Sequence, residues 1–557
     1  MSFQRRPAFL VEEGEAATAA LDDSAPKSLP EMFQWAEAAW LQLSDECKER
    51  VSTLTKQGID LLTFYSGKGT AESIFQQIFQ TVAGTSSDGL RVLAACDRSP
   101  VCRQALMSLV AGGPKHLFGD ICSRVPPEMQ EALQRLEPSE TDEMEHKAAS
   151  YEEMRKLLFN GQCFSHKSKS HCFVHGQYCG LWEGLEPDTR QKSQKLVVVV
   201  AGASCTDFSR RRTGPCPKLS GKTTKPFFIF LAEVKCLGPD LFFYENVPNW
   251  PVEQLQEWLP AYENFYVRVS PDSFGYPMSR PRVFGVLMKK ERIVFSGSTD
   301  DFYSLQTALA ASGDIYFHAP DAAVRSSQWR RAKGRGNVHP HVNVDASSIP
   351  LTDQVTPTTF ARYLEYEKLR HTRQGVDGSF LADLDQNPQF GSCGPILPSL
   401  PTHNSVFSFS RGRFLLGTEF LAAMGENIYL ADARTPSTFL SRAFLERTSE
   451  KDLNYLAGNA FHMPLMGRFI FFVLGHIHQL PSMKLLKCVS DFGARSSSFL
   501  LESQTSENAP PQSDSDAEVN DNSKKKRATN AEAVAGAAAS ATATATEDSP
   551  LRKRPCL

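Results

Sequence analysis

Residues 196–214, LVVVVAGASCTDFSRRRTG, contain a run of four valines that leads into Cys205. Such a run of β-branched residues predicts a central parallel strand that is buried on both faces. Small residues then end the strand, and open α/β sheets bind ligands beyond the carboxyl ends of their strands. A thiol at this place is a candidate nucleophile. The alternative is an inert, buried cysteine of the ordinary kind.

The composition is that of a large protein without membrane segments. The chain has 557 residues, of which 41% are hydrophobic, so it can form several cores. Its 13 scattered cysteines predict a reducing intracellular setting, and neither a signal peptide nor a bilayer-spanning apolar run is evident. We therefore expect a soluble protein with no membrane partner. The net charge of −3 restricts nucleic-acid contacts to local basic patches.

Apolar runs that alternate with helical patterns predict an α/β fold with a mostly parallel sheet and covering helices. The runs are LLTFYSG, RVLAACD, LVVVVAG, LFFYENV and RPRVFGVLM. The predicted regions are a partly helical N-terminal extension at 1–58, a sheet domain at 59–290 with an insertion at about 137–194, a smaller domain at 291–405, a return to the sheet domain at 406–490, and a disordered tail at 491–557.

Three strand ends carry residues suited to a nucleoside. In FYSGKGTAES, Gly67 and Gly69 lie where a strand turns into a helix, so the backbone can approach a ligand closely. Asp97 follows the second apolar strand, where a carboxylate commonly accepts hydrogen bonds from a ribose, and Asp120 follows the third. The sequence has neither a Gly-x-Gly-x-x-Gly fingerprint nor a phosphate-loop motif, which argues against NAD and ATP.

Two further segments carry charged residues at strand positions. Glu245, in PDLFFYENVPNW, ends an apolar run as Cys205 does, and is a candidate proton donor or hydrogen-bond partner. Arg280 and Arg282, in FGYPMSRPRVFGV, alternate along a predicted strand and should share one face that holds an anion or a carbonyl oxygen. The alternative for Glu245 is a helix-capping or surface carboxylate. For the two arginines it is an ordinary ion-paired edge strand.

Cysteines and histidines cluster in CFSHKSKSHCFVHGQYC, residues 163–179. The six are Cys163, His166, His171, Cys172, His175 and Cys179. Four of the cluster's six residues could bind zinc, but their spacing fits no standard zinc finger. We therefore assign no metal. The alternative to a zinc site is a folded insertion with ordinary buried cysteines and exposed histidines.

Two basic features point to nucleic acid and to the nucleus. QWRRAKGRGNVHPH contains Arg330, Arg331, Lys333 and Arg335 without an acidic residue, which predicts a phosphate-binding patch. A solvated surface is the alternative. Residues 524–527 and 552–555 resemble nuclear-localisation signals, which predicts binding to a nuclear import receptor.

In this order, the segments resemble the motifs of the cytosine-5 DNA methyltransferase family. YSGKG is similar to the family's Phe-x-Gly-x-Gly motif, GASCTDFS to its Pro-Cys-Gln loop, ENV to its glutamate motif and PMSRPRVF to its Gln-x-Arg-x-Arg strand. GRFLLGTEFLAAMG and AGNAFHMP are similar to its last two motifs. The chain departs from the family pattern at Thr70, Ser204, Thr206 and Met278.

The resemblance implies a Rossmann-like, S-adenosylmethionine-dependent methyltransferase domain with a target-recognition domain at 291–405. It implies that Cys205 adds to carbon 6 of a flipped cytosine in DNA. Glu245 would bind the ring at nitrogen 3 and the amine, Arg282 would bind its carbonyl oxygen, and Arg280 would support the loop. Implied cofactor-binding residues are Tyr65, Gly67, Gly69, Asp97 at the ribose, Asp120 at the adenine and Asn459.

Two other functions remain open at this point. One branch of the family methylates tRNA with the same motifs, so RNA is an alternative substrate. A catalytically degenerate relative that only binds nucleic acid is the alternative to an enzyme, motivated by Ser204, Thr206 and Met278. Retention of Cys205 and Glu245 speaks against it.

Overall fold

A mixed sheet lies at the centre of the protein and follows from the apolar runs. Its strands are β1 (Ile59–Phe64), β2 (Leu90–Cys96), β3 (His116–Phe118), β4 (Lys169–Cys172), β5 (Gln177–Gly180), β6 (Leu196–Ala201), β7 (Leu241–Asn246), β8 (Tyr262–Val269) and β9 (Arg282–Lys289). They form a nine-stranded sheet in the order β5-β4-β3-β2-β1-β6-β7-β9-β8. Strands β3, β2, β1, β6 and β7 are parallel, whereas β9 is antiparallel to both of its neighbours. The predicted α/β fold, a Rossmann-like methyltransferase sheet, is confirmed.

The strand order reverses beside β1, which creates a crevice. From β1 the chain proceeds to β2 and β3 on one side, and β6 and β7 continue on the other. Doubly wound sheets bind their ligands at such a switch point, outside the carboxyl ends of the strands. The fold therefore brings the ends of β1 and β6 to one place.

Side chains of β6 alternate between two cores. Val198 and Val200 belong to the apolar cluster on one face of the sheet, and Val197 and Val199 to the cluster on the other. All six residues of the strand are buried. The prediction of a doubly covered central strand is confirmed, because every second side chain of a strand points to the same face.

Helices cover both faces. They are α1 (Leu29–Phe33), α2 (Trp35–Gln42), α3 (Asp45–Gln57), α4 (Thr70–Ala83), α5 (Pro100–Met107), α6 (Pro127–Arg135), α7 (Met144–Asn160), α8 (Thr224–Leu237), α9 (Val252–Trp258), α10 (Thr299–Tyr303), α11 (Asp321–Gly334), α12 (Leu351–Gln354), α13 (Pro357–Arg373), α14 (Gly417–Ala423), α15 (Arg442–Arg447), α16 (Glu450–Gly458) and α17 (Met463–His476). Short 3-10 helices span Ile121–Arg124, Lys218–Ser220, Pro271–Ser273 and Gly313–Tyr316. No helix among the residues described here is long and apolar enough to cross a bilayer.

Two smaller sheets complete the fold. Strand β10 (Ile293–Phe295) pairs with β15 (Ile477–Gln479). Strands β11 (Leu381–Asp383), β12 (Cys393–Gly394), β13 (Val406–Ser408) and β14 (Arg413–Phe414) form a four-stranded sheet in the order β12-β11-β13-β14. The region boundaries inferred from the sequence stay predictions.

This computed structural model describes residues 25–84, 89–110, 112–161, 163–186, 190, 193–209, 216–337, 349–389, 391–402, 405–428 and 439–480. The described residues belong to one compact unit. The predicted tail beyond residue 490 and its two basic runs lie outside them.

Candidate active site

A cavity of about 1190 Å³ lies at the carboxyl ends of the central strands. It brings together residues that the sequence placed at separate strand ends. Among the predicted catalytic and cofactor-binding residues, Gly69 does not line it; this glycine packs against Leu109, whose Cδ1 would lie 2.9 Å from a Cβ atom there. The predicted site residues in its wall are Tyr65, Gly67, Asp97, Asp120, Cys205, Glu245, Arg280, Arg282 and Asn459.

The loop that carries Cys205 is anchored on both sides of the thiol. Before it, the Asn246 side chain, at the end of β7, donates a hydrogen bond to the Ala203 carbonyl at 2.8 Å. After it, buried Asp207 accepts hydrogen bonds from the backbone and hydroxyl of Thr223 at 2.8 and 2.7 Å. These contacts hold Cys205 at the cavity wall.

Glu245 and Arg282 form an ion pair beside the thiol. Arg282 Nε lies 3.0 Å from Glu245 Oε1, and both side chains are largely buried. Burial raises the pKa of the Cys205 thiol, the Arg282 guanidinium opposes this rise, and the Glu245 carboxylate adds to it. Burial thus favours the neutral thiol, and the Arg280 guanidinium joins that of Arg282 in favouring the thiolate.

Arg280 has a different set of partners from Arg282. Its guanidinium donates hydrogen bonds to the carbonyls of Leu400, Gly458 and Ala460 at 2.9–3.1 Å. The prediction that both arginines share one strand face is wrong, because β9 begins at Arg282 and Arg280 precedes it. Arg280 instead joins the last Gly-Asn motif to the cavity wall.

A second part of the cavity wall is built from two carboxylates and a glycine. The backbone N–H of Gly67, which has a φ of 57°, donates to Asp97 Oδ2 at 2.9 Å. Asp97 Oδ1 accepts from the Ser99 backbone, and burial raises the pKa of this carboxyl. Asp120 Oδ1 accepts from the Cys122 backbone at 2.9 Å and caps a 3-10 helix. Both aspartates therefore face the cavity from ordered turns.

Tyr65 and Asn459 close the same region. Tyr65 has a φ of 53°, an uncommon backbone conformation for a residue with a side chain, and its hydroxyl donates to the Pro226 carbonyl at 2.9 Å. Asn459 ends α16, where its amide donates to the Tyr455 carbonyl at 3.1 Å. A Cβ atom on Gly67 would lie 3.6 Å from the Asn459 carbonyl, so the two segments are in contact distance.

The positions that depart from the family pattern have local explanations. Met278 is fully buried in the core and pairs with Leu397 in an isolated β-bridge. Ser204 Oγ and Thr206 Oγ1 lie 3.1 Å apart, one on each side of the cysteine. Thr70 is the buried first residue of α4. These substitutions leave the thiol at the cavity wall.

A buried ion pair at the turn formed by Gly67, Lys68 and Gly69 was not found by sequence reasoning. Lys68 Nζ lies 2.6 Å from Glu426 Oε2, and neither side chain is exposed. Glu426 Oε1 also accepts hydrogen bonds from the backbone of Phe439 and Leu440. The partners are 358 residues apart in the chain, so no local pattern could have paired them.

Part of the predicted insertion also reaches the cavity. Glu137 and Glu140, between α6 and α7, line the wall together with Lys222 and Lys225. Lys225 Nζ lies 2.6 Å from Glu137 Oε2, and Lys222 forms an ion pair with Glu140. No local sequence pattern indicates these pairs, because the lysines lie far along the chain, beyond β6.

The predicted basic patch lies on α11 and its C-terminal end. Arg330, Lys333 and Arg335 are exposed there. Arg331 is half-buried, with its guanidinium 4.3 Å from the centre of the Phe414 ring. Three of the four predicted residues are therefore accessible to a phosphate backbone.

Comparison with known proteins gives distant structural likenesses. No protein-family model and no curated protein sequence matches the chain. Solved structures similar to it include the Dnmt2 methyltransferase of S. pombe, at 13% identity and a TM-score of 0.36, and the methyltransferase EhMeth of Entamoeba histolytica, at 12% identity and a TM-score of 0.32. A third is a putative prophage DNA modification methyltransferase from E. coli, at 12% identity and a TM-score of 0.35. Each likeness covers 75% of this chain and 98% of the other.

The fold agrees with the resemblance that the motifs indicate. The sheet has the Rossmann-like methyltransferase arrangement, and the motif residues meet in one cavity at its switch point. The chain is thus an α/β protein of the Rossmann-like methyltransferase fold that resembles the cytosine-5 DNA methyltransferase family in the order of its motifs.

Proposed function

We propose that the protein is a DNA cytosine-5 methyltransferase that uses S-adenosylmethionine. The observation that carries the proposal is a single cavity lined by Cys205, Glu245 and Arg282 on one side and by Asp97 and Asp120 on the other. A nucleophile, a carboxylate and a cation thus share one space with a nucleoside-type pocket. Its volume of about 1190 Å³ is large for one small ligand, which fits two substrates side by side.

The residues present fit the cofactor. Asp97 and Asp120 offer carboxylates to a ribose and an adenine, and Gly67 leaves the backbone open between them. Tyr65 and Asn459 border the same volume. S-adenosylmethionine, when bound there, would supply an electrophilic methyl group and a positive charge near the thiol.

Cys205 acts as the nucleophile in this proposal. Cytosine carbon 5 is a poor nucleophile, so the thiolate first adds to carbon 6 and makes carbon 5 electron-rich. Carbon 5 then accepts the methyl group as the sulfur–methyl bond of the sulfonium breaks, which would leave a neutral thioether. Loss of the proton from carbon 5 and expulsion of the thiolate from carbon 6 restore the aromatic ring.

Glu245 and Arg282 stabilise the charge that this addition creates. In this proposal the Glu245 carboxyl carries a proton when the base is bound. It donates a hydrogen bond to ring nitrogen 3, and its other oxygen accepts one from the exocyclic amine. Arg282 contacts the carbonyl oxygen at position 2. Their ion pair at 3.0 Å keeps both side chains oriented before the base enters. Arg280 is a positioning residue, since its guanidinium binds three backbone carbonyls of the cavity wall.

Trapping the covalent intermediate tests the proposal. With a 5-fluorocytosine oligonucleotide and cofactor, the fluorine at carbon 5 cannot leave as a proton does, so the Cys205 adduct should accumulate. Mass spectrometry of the digested adduct should place the base on Cys205. Failure to form the adduct while DNA and cofactor both bind would contradict the proposal.

The substrate class is tested separately by bisulfite sequencing. DNA and tRNA are each incubated with the enzyme and cofactor, and we expect new 5-methylcytosine in DNA. Methylation of tRNA alone would support the RNA alternative, and methylation of neither would support a catalytically degenerate relative.

We propose that the basic patch on α11 binds the DNA backbone. Neutralising one side chain that pairs with a phosphate should lower the slope of log affinity against log salt by about 0.9. The variant Arg330→Gln/Lys333→Gln/Arg335→Gln should therefore bind DNA more weakly and with a flatter salt dependence, measured by fluorescence anisotropy. Lys56→Gln, an exposed neutralisation on α3, serves as the control. An unchanged slope in the triple variant would exclude the patch.

We also propose that the protein resides in the nucleus and binds an import receptor through residues 524–527 and 552–555, which lie outside the described residues. Exposed basic runs of this type are recognised by such receptors. A fluorescent reporter fused to residues 491–557 should enter the nucleus, and the same fusion with both runs neutralised should not.

A further inference from the structure

Two cysteines and two histidines meet at the edge of the central sheet, away from the thiol of the active site. They are His116 at the start of β3, Cys172 at the end of β4, His175 in the following turn and Cys179 in β5. One ligand atom of each lies within 4.8 Å of all the others. We propose that these residues bind a structural zinc ion.

The separations fit a tetrahedral ion. Zinc–sulfur bonds of about 2.3 Å and zinc–nitrogen bonds of about 2.0–2.1 Å require ligand atoms about 3.3–3.8 Å apart in a tetrahedron. His175 Nδ1 lies 3.5 Å from Cys172 Sγ and 3.4 Å from Cys179 Sγ. His116 Nδ1 lies 3.9 Å from Cys172 Sγ. Two sulfur and two nitrogen donors in this arrangement select zinc among the common metals.

The outer partner of His116 supports the same assignment. While its Nδ1 faces Cys172, its Nε2 lies 3.4 Å from the Glu183 carboxylate. Histidine ligands of zinc commonly direct their second nitrogen at a carboxylate, which fixes the tautomer and the ring orientation. The imidazole is 3% exposed and stacks on the Phe118 ring, so its orientation is also fixed by packing.

The remaining members of the Cys/His cluster have other surroundings. Cys163 is buried and donates to the Leu158 carbonyl. His166 packs edge-on against Trp182, and His171 contacts two aromatic rings of the hairpin. His116 lies 56 residues before Cys172, so no spacing within the cluster could have revealed it.

The proposed ion would stabilise the attachment of the β4–β5 hairpin to the central sheet, which has few backbone contacts. The hairpin of β4 and β5 joins the sheet through one residue pair, Phe118 with Cys172, and an adjacent backbone hydrogen bond from Phe173 to Leu117. Strand β3 continues directly into Asp120 in the cavity wall. Four protein ligands fill a tetrahedral site, so the ion would act on structure and not on the reaction. This inference does not depend on the proposed function.

Metal analysis of the full-length protein tests the proposal. Protein purified without chelators should contain about one zinc per chain, as structural zinc sites do. Exchange for Co²⁺ should produce the visible bands of tetrahedral cobalt and a thiolate charge-transfer band in the near ultraviolet. Zinc removal with a thiol-blocking reagent and chelator should increase hydrogen exchange in residues 169–180.

Matched variants locate the ion. Cys172→Ser and Cys179→Ser should each lower the zinc content at least tenfold and abolish the thiolate–cobalt band. His171→Gln, a histidine of the same hairpin, and Cys236→Ser, an exposed cysteine, should retain zinc. If Cys172→Ser or Cys179→Ser fails to fold, the number of zinc ions per wild-type chain and the spectrum of the cobalt-substituted wild type still show whether the site exists. A folded wild type without zinc, a Cys172–Cys179 disulfide, or equal zinc loss in the control variants would overturn the proposal.

Discussion

Replacement of Cys205 by serine should reduce methyl transfer by about 10³-fold or more and leave cofactor binding unchanged. The proposed reaction requires a thiolate that adds to the base, and a serine hydroxyl is not ionised at neutral pH. Cys205 lies beyond β6, whereas Asp97 and Asp120, the proposed cofactor-binding residues, lie beyond β2 and β3, so the change should not disturb cofactor binding. Single-turnover methylation with labelled cofactor and calorimetric cofactor titration measure the two effects.

The control for this variant is Cys236→Ser. Cys236 is exposed on α8 and does not line the cavity, so the methylation rate of this variant should equal that of the wild type. The wild-type rate should also rise with pH, because burial raises the pKa of the Cys205 thiol and less thiolate is present at low pH. A Cys205→Ser rate within tenfold of the wild type would contradict the nucleophile assignment.

Strands and strand-end residues were predictable from sequence because their signals are local. The unbroken run from Val197 to Val200 identifies a strand buried on both faces without knowledge of its neighbours. Cys205 and Glu245 each come at or beyond the end of an apolar run, and parallel strands bring their carboxyl ends to one edge. The fold class and the meeting of Cys205 with Glu245 in one cavity follow from those two facts.

Contacts between distant segments were not predictable in the same way. Arg280 was expected on a strand face, but its position before β9 lets it bind carbonyls from α16 and its C-terminal loop. His116 joins Cys172 only because β3 and β4 are neighbours in the sheet. Such contacts depend on which distant segments become neighbours in the folded protein. The spacing of residues in a single sequence does not reveal those neighbours.

Loss of the Glu426 carboxylate should destabilise the protein by about 3–5 kcal/mol, because it removes the only carboxylate that forms an ion pair with the buried Lys68 ammonium among the described residues. Neither side chain is exposed, and their charged atoms are 2.6 Å apart. Glu426→Gln keeps an oxygen that can accept from the Phe439 and Leu440 backbone, so the variant isolates the charge. Urea denaturation followed by fluorescence measures the free energy of unfolding.

Removal of both charges should recover most of this loss. In Lys68→Met/Glu426→Gln neither of the two positions carries a charge, and an apolar side chain fills the space of the lysine. The free energy of unfolding of the double variant should therefore lie within about 1–2 kcal/mol of the wild-type value. Glu446→Gln breaks the exposed pair with Arg442 and should cost less than about 0.5 kcal/mol. A double variant as unstable as the sum of its single variants would mean that the two side chains act independently. Recovery would mean that the two charges are energetically coupled, although they lie 358 residues apart in the chain.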